Sequence, residues 1–290
     1  MSRVLYAIPT LGGRDEWLRL SIGSVQRQMA DVRTVVVAPA KSSACPVATS
    51  MGVEYLPSER PGLSAAVNDV WKAFGADYDY LAWIADDDVL SPISLLATTD
   101  YLDHHPRCVA VYGRDRLIGS DGTSLQTSRP GRLAGMLLPY GTQQVTQPGS
   151  LFRATAIRQV GFLDEHLVYS MDYDLFLKLR RVGSLDYLPL ELAAIRTHSD
   201  RITENRGDNG RELITVRERS LTPGQAAASR YLLRGTRVVD LVYGSAIRRM
   251  GQPPEPAVRL GAHEYVHSKS ASHVPPVGAA QTATWIGMEQ

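Results

Sequence analysis

Cysteine is almost missing from this 290-residue chain, which holds only Cys45 and Cys108. Two cysteines so placed exclude a disulfide framework and a cysteine-based zinc site, and they fit a reducing compartment. Net charge is also missing: 31 basic residues face 30 acidic ones, giving +1. No global field therefore favours nucleic acid or an anionic membrane. No apolar run approaches the roughly 20 residues that cross a bilayer. The first ten residues, MSRVLYAIPT, turn apolar within three positions and stop at Pro9, too short a run for a secretory signal. A cytoplasmic location is expected, with peripheral membrane contact left open. No internal repeat occurs, and the sequence sets no oligomeric state.

What is present is an alternation of two hydrophobic periods. Val4–Ile8 reads as a buried strand, and DEWLRLSIGSVQRQ follows with Leu18, Ile22, Val25 and Met29 at helical spacing. VRTVVVAP is a continuous β-branched run of the parallel-sheet kind. After Pro61-Gly62, a helix is expected with Leu63, Ala66, Val67, Val70, Trp71 and Phe74 on one face and Gly75 as its stop. Tyr80–Ala85 reads as the next strand. This order implies a parallel sheet with right-handed crossovers. Beyond Pro92, SLLATTDYLDHHP reads as a helix and CVAVYGRDRLIGSDGT as two strands with an Asp121-Gly122 turn. Residues 123–150 read as a long loop, DYDLFLKLRRVG as a helix, and LDYLPLELAAIRTH as a late strand. Residues 205–250 read as a helical extension, and the proline-rich stretch 251–290 as a disordered tail. Within the extension, residues 229–250 read either as a basic amphipathic helix on a membrane or as a helix packed on the main domain.

Chemistry is expected where YLAWIADDDVLSP turns from apolar to acidic. Ligands of open parallel sheets sit beyond the carboxyl ends of strands, and Asp86, Asp87 and Asp88 stand at such an end. Three adjacent like charges repel, so a positive partner is expected there. The cluster suits a hard cation such as Mg²⁺ or Mn²⁺; a solvated acidic turn before the next helix is the plainer alternative. Asp172 and Asp174 lie at a helix start, as caps or with one of them as a general base. His198, flanked by Arg196 and Arg201, reads as a metal ligand, a donor to phosphate, or an ordinary surface residue.

In this order the segments resemble the family-2 glycosyltransferases of the GT-A fold, over about residues 3–204. The opening motif is YAIPTLGGRDEWLRLSIGSVQRQ. GLSAAVNDVWKA, ADDDVLSP, VYGRDRLIGSDGT, GSLFRATAIRQVGFLDE, MDYDLFLKL and RTH follow. The resemblance implies an α/β domain with a Rossmann-like, mostly parallel central sheet flanked by helices. Residues 1–92 would form a nucleotide-binding half and 93–204 an acceptor-binding half. It implies an inverting transfer from a nucleotide-diphosphate sugar to an acceptor hydroxyl of unknown identity, with Mg²⁺ or Mn²⁺ as cofactor. It puts Asp88 at the metal, Asp86 at the metal or the ribose with Asp87 able to share either role, and His198 at the metal or the diphosphate. Pro9, Thr10 and Asn68 fall on the nucleotide side, Arg153 near the acceptor pocket, and Asp172 at the catalytic base. Two departures from the family stand out: Ala38 and Pro39 stand where an aspartate usually meets the nucleobase, and Met171 replaces the glutamate that usually precedes the base. A nucleotidyltransferase is a rival, although PTLGGRDEW offers only Gly12, Gly13 and Arg14 as a phosphate loop. A sugar-nucleotide-binding protein without transfer activity is the other.

Overall fold

A strand apolar at every position needs cover on both faces, and helices supply it. Val4–Ile8 meets this condition as the heart of β1 (Arg3–Pro9). Leu5 and Ala7 face one core beside Val67, Val70 and Trp71, whereas Val4, Tyr6 and Ile8 face a second beside Leu18, Ile22 and Val25. The computed structural model describes residues 2–128, 130–140, 145–198 and 206–224, the side chains of 206–209 excepted. The stretch 229–250, read either as a membrane-surface helix or as a helix packed on the main domain, and the expected tail at 251–290 lie outside the described residues.

The first half is built from β1, α1 (Asp15–Gln26), β2 (Asp31–Ala38), α2 (Ala44–Ser50), β3 (Glu54–Pro57), α3 (Leu63–Phe74) and β4 (Tyr80–Trp83). The second half continues with β5 (Val89–Leu90), α4 (Ser94–His104), β6 (Cys108–Ile118), β7 (Ser124–Thr127), α5 (Ala134–Leu137) and β8 (Leu151–Arg153). It closes with α6 (Ala154–Val160), α7 (Met171–Leu179), β9 (Ser184–Arg196) and α8 (Arg206–Ser220).

Strand order is β3-β2-β1-β4-β8-β6-β9-β5, with β7 added on β6. The pairings β2–β3, β1–β2, β1–β4 and β6–β9 are parallel. The short pairings through β8, β5 and β7 are antiparallel and join the halves into one mixed sheet. The order runs outward from β1 to β3 and then resumes on the other side of β1 at β4. The carboxyl ends of β1 and β4 therefore flank the switch in strand order, where open α/β sheets bind ligands. Trp83 locks this junction: it meets Trp71 edge-on at 5.4 Å and stacks on Phe152 at 5.5 Å. Each such pair adds about 1 kcal/mol beyond its buried area.

Two expectations change. Met29 lies past the end of α1 and is 60% exposed, so the inward helical face stops at Val25. Between β2 and α3, where the sequence reading assigns no element, stand α2 and the half-buried edge strand β3. Residues 123–150 likewise hold β7, α5 and a single 3-10 turn, Leu138–Tyr140.

Candidate active site at the β1–β4 switch point

The turn after β1 aims its polar groups at the acidic end of β4. Thr10 continues the parallel ladder, its N–H donating to the Val37 carbonyl at 3.0 Å. That fixes its hydroxyl, which donates to Asp86 Oδ2 at 2.5 Å and accepts the Gly12 N–H at 2.9 Å. Gly12 has φ +83°, and a Cβ there would sit 3.1 Å from Ser42 Cβ and Ser43 Oγ. A left-handed turn in so tight a place calls for glycine. The turn then delivers Arg14 to the mouth of the acidic cluster.

Asp86, Asp87 and Asp88 are all buried. Burial pushes the Asp86 carboxyl above the usual aspartate range, with the Thr10 hydrogen bond and the Arg14 charge opposing it. The positive partners expected from three adjacent aspartates are present. Arg14 Nη1 lies 3.0 Å from Asp87 Oδ2 and 3.5 Å from Asp86 Oδ1. His198 Nε2 lies 2.7 Å from Asp87 Oδ2 and 3.3 Å from Arg14 Nη1. Asp88 Oδ1 accepts the Arg196 backbone N–H at 2.8 Å, so β9 is tied to the acidic turn. The buried Arg196 guanidinium donates to the carbonyls of Asp87, Gly119 and Ser120. Burial pulls its pKa below the usual arginine value. Trp17 completes the wall: its ring centroid is 5.0 Å from that of His198, and the Arg196 guanidinium lies 5.1 Å over it.

Beside this cluster a cavity of about 330 Å³ opens. Asp86, Asp87, Asp88, Thr10 and Arg14 form its polar floor. Pro9, Val37, Ala38, Pro39, Leu63 and Ala66 form an apolar wall, and Ser58 and Arg60 a polar rim. Such a slot has the size and mixed lining of small-ligand sites. Ala38 and Pro39 bring no carboxylate of their own to the end of β2; just beyond it Glu59 accepts the Ala40 N–H at 2.9 Å.

The structure brings Pro9, Thr10, Asp86, Asp87, Asp88 and His198 together and separates three other residues. Asn68 does not line the cavity. Its side chain is buried, donates to the Leu163 carbonyl at 3.0 Å and to Glu165, and accepts the Leu163 N–H at 3.1 Å. It is a pin between α3 and the segment after α6. Arg153 pairs with Tyr80 at the opposite end of β4. Its guanidinium is spent on the carbonyls of Cys108, Leu102 and His105. It faces away from the acidic end because β8 runs antiparallel to β4. Asp172 lies in the first turn of α7, outside the cavity lining, with Oδ1 accepting the Tyr173 N–H at 2.8 Å. Its neighbour Asp174 is buried in ion pairs with Lys178 at 2.6 Å and Arg219 at 2.7 Å. Of the two acids, Asp174 is structural. Arg14, Arg196 and Trp17 are site residues that motif reading did not assign. Charge balance against three aspartates was the available signal for the two arginines.

Among the described residues no three His, Cys, Asp or Glu side chains converge as a ready-made metal cage. Yet the donors at the cavity floor are carboxylate oxygens, the hard ligands that Mg²⁺ and Mn²⁺ take. Mg²⁺ sites commonly use one or two carboxylates and complete their shell with substrate phosphates and water. The residues fit such a cation, its shell completed by an anionic ligand. No helix among the described residues is long and apolar enough to cross a membrane.

Comparison with known proteins follows this geometry. A glycosyltransferase of Rickettsia conorii, itself uncharacterized, is 27% identical over 175 residues, covering 57% of this chain and 29% of that protein. One from Rickettsia prowazekii is 28% identical over 212 residues, covering 68% of this chain and 64% of that one. The chain thus spans less than a third of the first relative and under two thirds of the second. Among solved structures, a mannosyltransferase from Pyrobaculum calidifontis, in complex with GDP-Man and Mn²⁺, superposes with a TM-score of 0.59 at 13% identity. It covers 87% of this chain and 81% of that one. Residues 1–349 of Staphylococcus aureus TarS, in complex with UDP-GlcNAc, give a TM-score of 0.55 at 13% identity, covering 74% and 65%. These likenesses show the GT-A fold. The sequence model of glycosyl transferase family 2 matches residues 8–171, more than half of the chain, and the chain belongs to that family.

Proposed function

We propose that the chain moves a sugar from a nucleoside-diphosphate sugar to an acceptor hydroxyl with inversion at the anomeric carbon. The observation that carries this reading is the buried aspartate cluster at the switch point, joined by Thr10 Oγ1–Asp86 at 2.5 Å and opening on a ligand-sized cavity. That the two solved neighbours were captured with GDP-Man and UDP-GlcNAc supports it.

In this reading residues 1–92 hold the nucleotide and 93–204 the acceptor. The base and ribose lie along Pro9, Val37 and Leu63. Asp88 and Asp86 would hold Mg²⁺ or Mn²⁺, which when bound neutralises the charge of the leaving diphosphate. Arg14 moves from Asp86 and Asp87 towards the diphosphate, and His198 donates to a phosphate oxygen. Asp172, at the start of α7, takes the proton of the acceptor hydroxyl as it attacks the face opposite the departing diphosphate. No covalent intermediate forms, so no serine or cysteine is required.

The test is turnover of Asp172→Asn. General-base assistance is worth about 10²–10⁴-fold, and turnover should fall by that factor with donor affinity nearly unchanged. Undiminished turnover would remove Asp172 from the role.

A further inference from the structure

Helix α8 lies beyond the residues 8–171 that match the family, yet it is fastened to the start of α7. Glu212 accepts three successive backbone N–H groups: Val168 at 3.0 Å, Tyr169 at 2.7 Å and Ser170 at 2.6 Å. These groups lead directly into α7. The N-cap of α7 is Ser170, which makes no side-chain cap bond, and its hydroxyl is buried without a partner. A carboxylate from another helix therefore holds the two residues before α7 and the backbone N–H of its N-cap, Ser170. Val216 and Leu213 seat α8 on the core around α7. Seven residues on from Glu212, Arg219 Nη2 reaches Asp164 at 2.8 Å and Asp174 at 2.7 Å. One helix grips both sides of the turn that carries Asp172.

Position 171 gives this grip a chemical meaning. The family pattern puts a glutamate before the base; here Met171 is buried in the core and brings no charge. Glu212 returns a carboxylate to the same helix start from outside the family-matched segment. We propose that Glu212 is a positioning residue for Asp172: from α8 it fixes the turn that presents the Asp172 carboxylate and supplies the negative charge that Met171 does not. The catalytic part of this inference rests on the reading of Asp172 as the base. The coupling between the two carboxylates does not.

The physical sense is direct. Uncapped N–H groups and the positive end of a helix favour an ionised carboxylate nearby and weaken it as a base. Glu212 takes up the N–H groups of Val168, Tyr169 and Ser170 and adds a like charge, and both effects raise the affinity of Asp172 for a proton. Glu212→Gln removes the like charge and loosens that hold.

The experiment is a carboxyl ¹³C titration of the whole chain with labelled aspartate, the Asp172 signal being assigned by its loss in Asp172→Asn. It is paired with the rate of nucleoside-diphosphate release from UDP-GlcNAc and GDP-mannose. In Glu212→Gln the Asp172 midpoint should move down by about half a unit or more, and release should slow about tenfold. Donor Kd should stay within about twofold of wild type. In the Asp172→Asn background Glu212→Gln should cost nothing further. Glu212→Asp, which keeps the charge, should hold the midpoint near wild type, and it carries the test should Glu212→Gln fold poorly. An unmoved Asp172 midpoint in Glu212→Gln, or one displaced equally in Glu212→Asp, would overturn the inference. So would a further full loss on top of Asp172→Asn. If the midpoint moves but Asp172→Asn releases nucleoside diphosphate at the wild-type rate, the base reading falls and the carboxylate coupling stands.

Discussion

Replacing Asp115 by asparagine should flatten the dependence of stability on pH. Asp115 is on β6, 2% exposed, with Oδ2 accepting the hydroxyls of Thr146 and Ser128 and Oδ1 buried without a partner. Burial, helped by the Glu191 charge, pushes its carboxyl from 3.8 to about 7. The folded value exceeds the unfolded one, so the folded state holds the extra proton. The resulting stability is complete below pH 3.8 and is lost as pH rises through about 7. A displacement of this size corresponds to about 4 kcal/mol in all, of which about 3 kcal/mol falls between pH 5 and pH 8. Asparagine keeps the shape and cannot titrate. The assay is urea unfolding of both proteins at pH 5, 6, 7 and 8. Their difference in stability should change by about 3 kcal/mol across that range, in favour of the variant at the alkaline end. Parallel curves would refute the argument. Gln147, next to Thr146, donates to the Trp83 carbonyl at the end of β4 at 2.5 Å.

Three further outcomes are expected. Asn68→Ala should cost about 2 kcal/mol in a urea melt, since it leaves Leu163 N–H and C=O unpaired, with donor affinity per folded molecule unchanged; a specific loss of donor binding would restore Asn68 to the nucleotide site. Gly149→Ala should destabilise by more than about 2 kcal/mol. Gly149 has φ +76° and a Cβ there would lie 2.6 Å from Leu192 Cβ, so an unchanged melting temperature would contradict that packing. Arg14→Met should lower stability at pH 7 by about 1 kcal/mol, discounted for its partly open position. The loss should shrink as pH falls, since burial raises the Asp86 carboxyl and so favours its neutral form; a loss that grows with acidity would contradict the pairing.

The first half of the fold was legible because its signals are local. Val4–Ile8 and Thr34–Ala38 are unbroken apolar or β-branched runs, and Leu63–Phe74 keeps a clean helical stripe. β3 was missed because an edge strand is buried on neither face fully, so Glu54–Pro57 carries no run. α2 was missed because ACPVATS places a proline inside its first turn. The acidic end of β4 announced a site, and the need for a positive partner followed from Coulomb repulsion. Which groups answered it was not legible: Arg14 reaches the cluster through a glycine turn, and Arg196 at the end of β9, with His198 just past it, arrives more than 100 residues later. Asn68 and Arg153 show the converse limit. Both sit within motif segments, but direction along the sheet decides what they touch, and antiparallel β8 turns Arg153 to the far end. The Glu212 cap depends on a helix–helix contact that has no local signature.

The central claim is that a nucleoside-diphosphate sugar binds with its phosphates at Asp86–Asp88. Titration calorimetry of uridine- and guanosine-diphosphate sugars with Mn²⁺, on the wild type and on Asp88→Asn, tests it most directly. The account predicts saturable binding of at least one donor by the wild type, weakened about tenfold or more in Asp88→Asn, a difference of about 1.4 kcal/mol or more. Binding of equal strength in both proteins, or of no donor at all, would contradict it.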